Sequence, residues 1–178
     1  YDAAAHGVTV AGNDLDGDKT EYSVDGGATW TEQAPQRTDV QQAETVKVRV
    51  TNKNYRAAEA EGTIAITPKA VTVTAKSTGK VYGAADPELE AEVSGTLGAD
   101  TVDYTVTREQ GEDVDTYKMT AAGATAQGNY EVTYVDGTFT ISAADRPADK
   151  QIAVTSYGKP YDAAAHGVTV AGNDLDGD

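Results

Sequence analysis

Three carboxylates stand at alternate positions of one loop near the start of the chain. They are Asp14, Asp16 and Asp18, and Asp25 follows in the next turn. Oxygen ligands at this spacing are typical of calcium-binding loops. A calcium loop of the helix-loop-helix type has glycine in the position of Lys19 and a bidentate glutamate in the position of Asp25. We therefore predict a hairpin loop of turn-forming residues and no cofactor, with a weak calcium site at the four carboxylates as the alternative.

The next segment has the pattern Ser-x-Asp-x-Gly-x-Thr-Trp, formed by Ser23, Asp25, Gly27, Thr29 and Trp30. Asp25 can accept hydrogen bonds from turn amides, and Gly27 can take a backbone conformation that a side chain forbids. The pattern resembles the Asp-box hairpin found in sialidases and in many unrelated β proteins, where it is a folding element. We therefore predict a structural hairpin, with an exposed Trp30 that stacks on sugar as the alternative.

The chain offers few groups for catalysis. Its two histidines are His6 and its repeat copy His166, and it has no cysteine, which excludes disulfides, thiolate metal sites and cysteine nucleophiles. No hydroxyl nucleophile has an identifiable base beside it in sequence. We predict that the protein is not an enzyme and that His6 lies at the surface or in a turn. Surface β domains can also carry isopeptide crosslinks beside a buried acid, but the sequence identifies no such trio.

The chain contains two levels of repetition. Residues 161–178 repeat residues 1–18 letter for letter, so one period ends directly before Tyr161 and the next begins there. Within the period, residues 77–86 align with residues 156–165, and residues 62–67 align with residues 137–142. Each period thus holds two divergent modules of similar length. We predict a first module at residues 1–68, a second at 69–142, a linker at 143–149, and the first strands of the next period's first module at 150–178.

Composition limits the partners of the protein. Asp and Glu outnumber Lys and Arg by 29 to 14, for a net charge of −15. Such a charge repels nucleic acid and anionic membranes and keeps a long polymer soluble. No apolar run approaches membrane-spanning length, so neither nucleic-acid binding nor membrane insertion is expected. Tyr1 does not begin a signal peptide, so the fragment leaves secretion undecided.

Apolar and polar residues alternate through most of the chain, which is the period of half-buried strands. We predict an all-β protein of two small tandem modules, stacked end to end through short junctions. Strands are expected at residues 8–10, 20–24, 28–30, 45–50 and 62–66 of the first module. In the second module they are expected at residues 71–75, 89–93, 102–106, 116–119, 130–134 and 138–141.

The second module resembles the MBG domain of bacterial surface adhesins. The motifs that carry the likeness are KVYG at 80–83, DP at 86–87, VSG at 93–95, TREQGEDVDTY at 107–117, GNY at 128–130 and GTFTI at 137–141. One departure is Asp115, where the family has glycine. The resemblance implies a small, mostly β module, either an Ig-like sandwich or a β-grasp-like fold.

The first module is similar to the related YDG-type repeats. The likeness rests on KPYD at 159–162, YSVDGG at 22–27, TW at 29–30 and NY at 54–55. Ala163 stands where the name-giving glycine would be. Together the two resemblances imply an extracellular protein at the bacterial cell surface, without catalytic residues.

The expected function is structural. We predict a stalk or fibre segment that projects a distal binding region, with neighbouring repeats of the same chain as partners. The alternative is a repeat that binds mucin or another host glycan weakly and gains avidity from the array. Because the first module lacks its opening strand and residues 150–160 carry that strand unpaired, we also expect head-to-tail strand complementation between copies.

Overall fold

The structure is a computed structural model, and it describes residues 1–171. It confirms the all-β prediction, since the helical structure within this range is one short 3-10 helix, Ala148–Lys150. The strands are β1 His6–Gly7, β2 Lys19–Ser23, β3 Gln36–Arg37, β4 Gln41–Asn52, β5 Tyr55–Ile66, β6 Lys69–Ala75, β7 Thr78–Val81, β8 Ala91–Ser94, β9 Thr105–Arg108, β10 Thr116–Ala122, β11 Ala126–Gln127, β12 Tyr130–Val135, β13 Gly137–Ser142, β14 Ala153–Thr155 and β15 Thr169–Ala171.

The second module consists of two four-stranded sheets, with strand orders β7-β13-β10-β9 and β11-β12-β6-β8. The first two strands go to different sheets and pair in parallel with the last two, β6 with β12 and β7 with β13. Alternate residues of the sheets meet in one core. The buried members of this core are Val71, Val73, Ala75, Val102, Met119, Ala121, Tyr130, Val132, Phe139 and Ile141. This two-layer packing is that of a sandwich, and the described residues provide no α-helix for the β-grasp-like alternative.

Most predicted strands of the second module are present, and two are shifted. The strand expected at residues 102–106 runs over Thr105–Arg108. Val102 is buried although it lies outside the strand, so the apolar alternation continues past the hydrogen-bonded ladder. The strand expected at 89–93 runs over Ala91–Ser94, and Leu89 packs on the core from the preceding loop. Burial of alternate side chains and hydrogen-bonded pairing of strands are thus separate properties. The alternation of apolar and polar residues in the sequence predicts the burial.

The first module has a three-stranded sheet, β2-β4-β5, built on the long antiparallel hairpin β4–β5. Its core is small. Val46, Val48 and Ile64 form the buried cluster, against which Val8 and Val10 pack together with Tyr22. The prediction of a strand at residues 28–30 is wrong, since these residues form none, and the neighbouring Thr31 makes a single bridge with Tyr22.

Residues 8–10, predicted as a strand, form none in the first module. Their copy does: β15 at Thr169–Ala171 pairs antiparallel with β14 at Ala153–Thr155. The prediction is therefore wrong for the first copy, in which residues 8–10 pair with no strand among the described residues. The prediction of an unpaired strand at 150–160 is also wrong, since β14 finds its partner within the same chain. Residues 172–178, the end of the predicted 150–178 segment, lie outside the described residues.

The two copies of this segment differ in burial in complementary ways. Val8 and Val10 lie on the core of the first module but have no strand beside them. Of their copies, Val170 lies in β15 beside β14 and Val168 directly precedes it, but they remain 50% and 63% exposed. We therefore expect that the β14–β15 hairpin and the β2-β4-β5 sheet are parts of one kind of module, here seen in successive periods.

We predict that placing residues 151–160 ahead of Tyr1 stabilises the first module. In the β14–β15 register Val154 lies opposite Val170, so the added strand would bring this valine next to Val10. Burying one valine contributes about 1.5–3 kcal/mol to the free energy of unfolding. Urea unfolding followed by fluorescence measures the change in this module alone, because Trp30 is the one tryptophan of the chain.

The control is the same extension with aspartate in the position of Val154, which should give little of the gain. Equal stability of the extended and the original chain would contradict the assignment of this strand.

Candidate functional site: the junction between the two modules

The predicted hairpin at residues 23–30 is held by a closed set of hydrogen bonds. The Ser23 hydroxyl donates to Asp25 Oδ1 (2.6 Å) and accepts from the Gly27 amide (2.8 Å). Asp25 also accepts from the amide (3.0 Å) and hydroxyl (2.6 Å) of Thr29. These hydrogen bonds hold the pKa of Asp25 well below its ordinary value, and the bond from the Ser23 hydroxyl has the largest effect. Gly27 has φ +99°, a conformation that favours glycine.

Trp30 closes the hairpin. Its indole Nε1 donates to the Gly27 carbonyl (3.0 Å), and the Arg49 guanidinium lies 4.2 Å from the centre of its ring. Arg49 is in turn paired with Glu21 (2.8 Å). The indole is half-buried, and the face under Arg49 is not open for stacking on a sugar. The geometry is that of a folding element.

The four carboxylates of the predicted calcium site have separate surroundings. Asp14 and Asp16 are exposed. Asp18 accepts from the Leu15 amide (3.1 Å) and from Asn52 Nδ2 (2.8 Å), whereas Asp25 belongs to the hairpin. Within residues 1–171, no three acidic or histidine side chains gather as a metal set. Calcium binding by this loop stays a prediction from the sequence.

His6 lies exposed at the surface, as predicted, with its Nε2 2.8 Å from Asp2 Oδ1. Asp2 also accepts from the Ala4 amide (3.0 Å). Ala3 between them has φ +62°, and its copy Ala163 has φ +59°. Because this left-handed region favours glycine, the turn explains why the YDG-type pattern has glycine in this position.

The two modules are joined through Asn129. Its side-chain oxygen accepts from the Val40 amide (2.7 Å), and its side-chain nitrogen donates to Asp39 Oδ1 (3.0 Å). Its own carbonyl accepts from the Lys69 amide (3.0 Å), at the first residue of β6. One half-buried residue of the second module thus contacts a loop of the first module and also fixes the strand that follows the connection.

An aromatic pair supports the same junction. The Tyr1 ring meets the buried Tyr130 ring edge-on, with 5.6 Å between ring centres, and the Tyr1 nitrogen donates to the Thr67 carbonyl (2.7 Å). The Tyr130 hydroxyl donates to Asp100 (2.6 Å). Burial raises the pKa of this hydroxyl, and the hydrogen bond to Asp100 adds to the effect. Between β5 and β6 the chain has only Thr67 and Pro68. A short connection, two side-chain hydrogen bonds and an aromatic contact together restrict rotation of one module against the other.

Four other charged residues of the second module form one cluster. Arg108 binds Asp86 through Nε (2.6 Å) and Glu112 through an end nitrogen (2.6 Å). Lys80 binds Asp86 (2.8 Å) and also pairs with Glu112. The two cations are nearly buried, with 5% of the Lys80 side chain and 10% of the Arg108 side chain exposed. Arg108 lies 4.8 Å from the ring centre of the core residue Phe139, so the cluster covers the core.

The cluster contains a lysine, an aspartate and a glutamate, which are the components of an isopeptide site. Forming an amide requires a neutral amine and a neutral carboxyl group. Hydrogen bonds from Arg108 and, with a smaller effect, from Lys80 instead lower the pKa of Asp86 from 3.8 to about 2. Asp86 and Glu112 raise the pKa of Lys80. The surroundings stabilise both ions, as is typical of an ion-pair network.

Residues 71–140 match the family model of the MBG domain (YGX type). The second module is an MBG domain. The matched range lies within the predicted module at 69–142, and MBG domains are associated with surface adhesin-like repeats. Neither the curated proteins nor the solved structures contain a significant match to the chain. No helix among the described residues is long and apolar enough to cross a membrane.

Two features of the MBG domain are not predicted by the sequence, although their letters belong to recognisable motifs. Asn129 and Tyr130 align the two modules, but the alignment does not reveal their contacts with the first module. Lys80 and Asp86 belong to the sequence motifs of the domain, but the sequence does not predict that they form ion pairs. Recurrence of the Asn-Tyr pair at residues 54–55 is the available signal that this position is constrained in both modules.

We predict that the charge cluster makes the MBG domain sensitive to acid. Because the pKa of Asp86 is lower in the folded than in the unfolded state, its contribution is complete above about pH 4 and is lost as the pH falls to about 2. Asp86→Asn should lower the melting temperature at neutral pH and flatten its fall in this window. The methyl signal of Met119, the one methionine of the chain and a core residue, reports this domain alone.

Asp136→Asn is the matched control, because Asp136 pairs with the exposed Lys118 (2.7 Å) outside the cluster. An acid profile of Asp86→Asn equal to that of the control would show that the cluster does not contribute.

We also predict that Asn129→Ala loosens the junction. The Val40 amide loses its acceptor, which lowers the free energy of local opening by the contribution of one hydrogen bond. Its hydrogen exchange should therefore accelerate by about tenfold. Asn54→Ala changes the corresponding asparagine of the first module, which does not contact Val40, and should leave this amide unchanged. Equal exchange in the two variants would contradict the role of Asn129.

Proposed function

We propose that the chain is a structural repeat of a large bacterial cell-surface adhesin, a stalk segment that projects a distal binding region. The observation that carries the proposal is the junction, where Asn129 and Tyr130 connect the MBG domain to the module before it. A stalk needs modules that hold their direction, and restricted rotation at each connection provides this. The protein has no enzymatic role in this account.

The repetition of the sequence supports the same proposal. Identity between residues 1–18 and 161–178 is typical of long homogeneous arrays, in which the number of copies sets the length. The net charge of −15 opposes the collapse of neighbouring copies onto one another. The association of MBG domains with surface proteins favours an extracellular location at the bacterial cell surface.

The alternative, weak binding of mucin or another host glycan by each repeat, has less support from the geometry. Trp30 is its main candidate, and one face of its ring lies under Arg49. The exposed tyrosines include Tyr55 and Tyr82, which belong to different modules.

Small-angle scattering from proteins with one, two and three complete periods tests the proposal. A stalk predicts that the maximum dimension grows by an equal increment with each period. A dimension that grows much more slowly than the number of periods would contradict it. Mucin binding measured on the same series separates the alternative, which requires binding that rises steeply with repeat number and falls on Trp30→Ala.

A further inference from the structure

The junction between the first module and the MBG domain uses five residues. Tyr1, Asp39 and Val40 belong to the module that comes first in the chain, and Asn129 and Tyr130 belong to the module that follows. Each of these positions has the same residue type in the other module. Tyr82 corresponds to Tyr161, the copy of Tyr1; Asp113 and Val114 correspond to Asp39 and Val40; and Asn54 and Tyr55 correspond to Asn129 and Tyr130.

The backbone shows that Tyr82 and Val114 are equivalent to Tyr1 and Val40 in space as well as in sequence, whereas Asn54 and Tyr55 correspond to Asn129 and Tyr130 by sequence. The Tyr1 nitrogen donates to the Thr67 carbonyl (2.7 Å), and the Tyr82 amide donates to the Ser142 carbonyl (2.8 Å). Thr67 directly follows the last strand of the first module, and Ser142 ends the last strand of the MBG domain. The two tyrosines therefore lie beside the same end of their modules.

The residues that flank the last strand of each module on its other side also correspond. Gln41, directly after Val40, pairs with Ile66, and the Asp115 carbonyl, directly after Val114, accepts from the Ile141 amide (2.9 Å). Tyr82 and Val114 therefore flank the last strand of the MBG domain as Tyr1 and Val40 flank the last strand of the first module.

The equivalent residues differ in what covers them. Tyr1 and Val40 are half-buried at the junction, and Tyr130 is 5% exposed. Tyr82 and Val114 are each 54% exposed, and Tyr55 is 60% exposed. The MBG domain thus presents the donor half of a junction at its end, and the first module presents the acceptor half, both without a partner within the described chain.

We propose that the end of the MBG domain formed by Tyr82, Asp113 and Val114 is a docking surface for Asn54 and Tyr55 of the next period's first module. Asn54 of that module would accept from the Val114 amide and donate to Asp113, and its Tyr55 would pack against Tyr82. Residues 161–171, which begin that next module, follow the MBG domain in the same chain. The inference rests on the proposed array and states how its second kind of junction is formed.

The connection at this second junction is longer than the first. Ser77 and Ser156 are equivalent positions near the start of their modules, as Thr67 and Ser142 are at the end. Ser156 follows Ser142 at a greater distance along the chain than Ser77 follows Thr67. The connection does not by itself hold the two modules together. The contacts between the surfaces must do so, which makes them testable by substitution.

The test uses the chain extended after Asp178 by residues 19–68, which completes a second copy of the first module. Hydrogen exchange of the Val114 amide is compared with that in the original chain. Docking predicts exchange slower by about tenfold in the extended chain, the protection that one additional hydrogen bond gives. Tyr82→Ser in the extended chain should remove part of this protection.

The matched variants are Asn54→Ala in the second copy and the same substitution in the first copy. The second-copy variant should restore fast exchange at Val114, and the first-copy variant should not, while it also shows whether the fold tolerates the change. Equal exchange of Val114 in the original and extended chains would overturn the docking surface.

Protection that appears in the original chain as its concentration rises, and that persists in Asn54→Ala, would place another part of a second molecule on this surface and would also overturn the assignment. The scattering series on one to three periods is read independently of these amides. An extended array with an unprotected Val114 would reject the docking surface and leave the stalk standing.

Discussion

Asn129 is the residue on which the relation between the two modules depends. Its side-chain amide accepts from the Val40 amide and donates to Asp39 in the same loop, while its carbonyl holds the first residue of the strand that follows the connection. A single residue therefore couples the loop before β4 to the start of β6. Tyr130, the next residue, adds the buried ring on which Tyr1 packs. Without this pair, the two residues between β5 and β6 would act as a short hinge.

The two modules both have small cores, which are formed and covered in different ways. The MBG domain closes a two-layer core and covers it with Arg108, whose charge is balanced by Asp86 and Glu112. The first module has a three-stranded sheet over a small buried cluster and a separate short β1–β3 pair, and we expect its opening strand to come from the preceding period. Small modules gain stability from neighbours, so an array of this kind is more stable than its separate parts.

The class of fold, the two modules and the hairpin around Asp25 are predictable from the sequence, because alternation and turn residues are local signals. The lack of strand pairing at residues 8–10 is not, since the same letters pair with β14 in their second copy. Nor does the sequence show that Lys80, Asp86, Arg108 and Glu112 meet, because their contacts depend on how two sheets are layered. The junction is visible as a repeated Asn-Tyr pair, but its geometry depends on contacts between modules.

Residual dipolar couplings of backbone amides, measured separately for residues 19–66 and 69–142, test the central claim most directly. A junction that restricts rotation predicts one alignment tensor that describes both sets. Two tensors of different magnitude and direction would show that the modules reorient independently, and would contradict the account of the chain as a stalk segment.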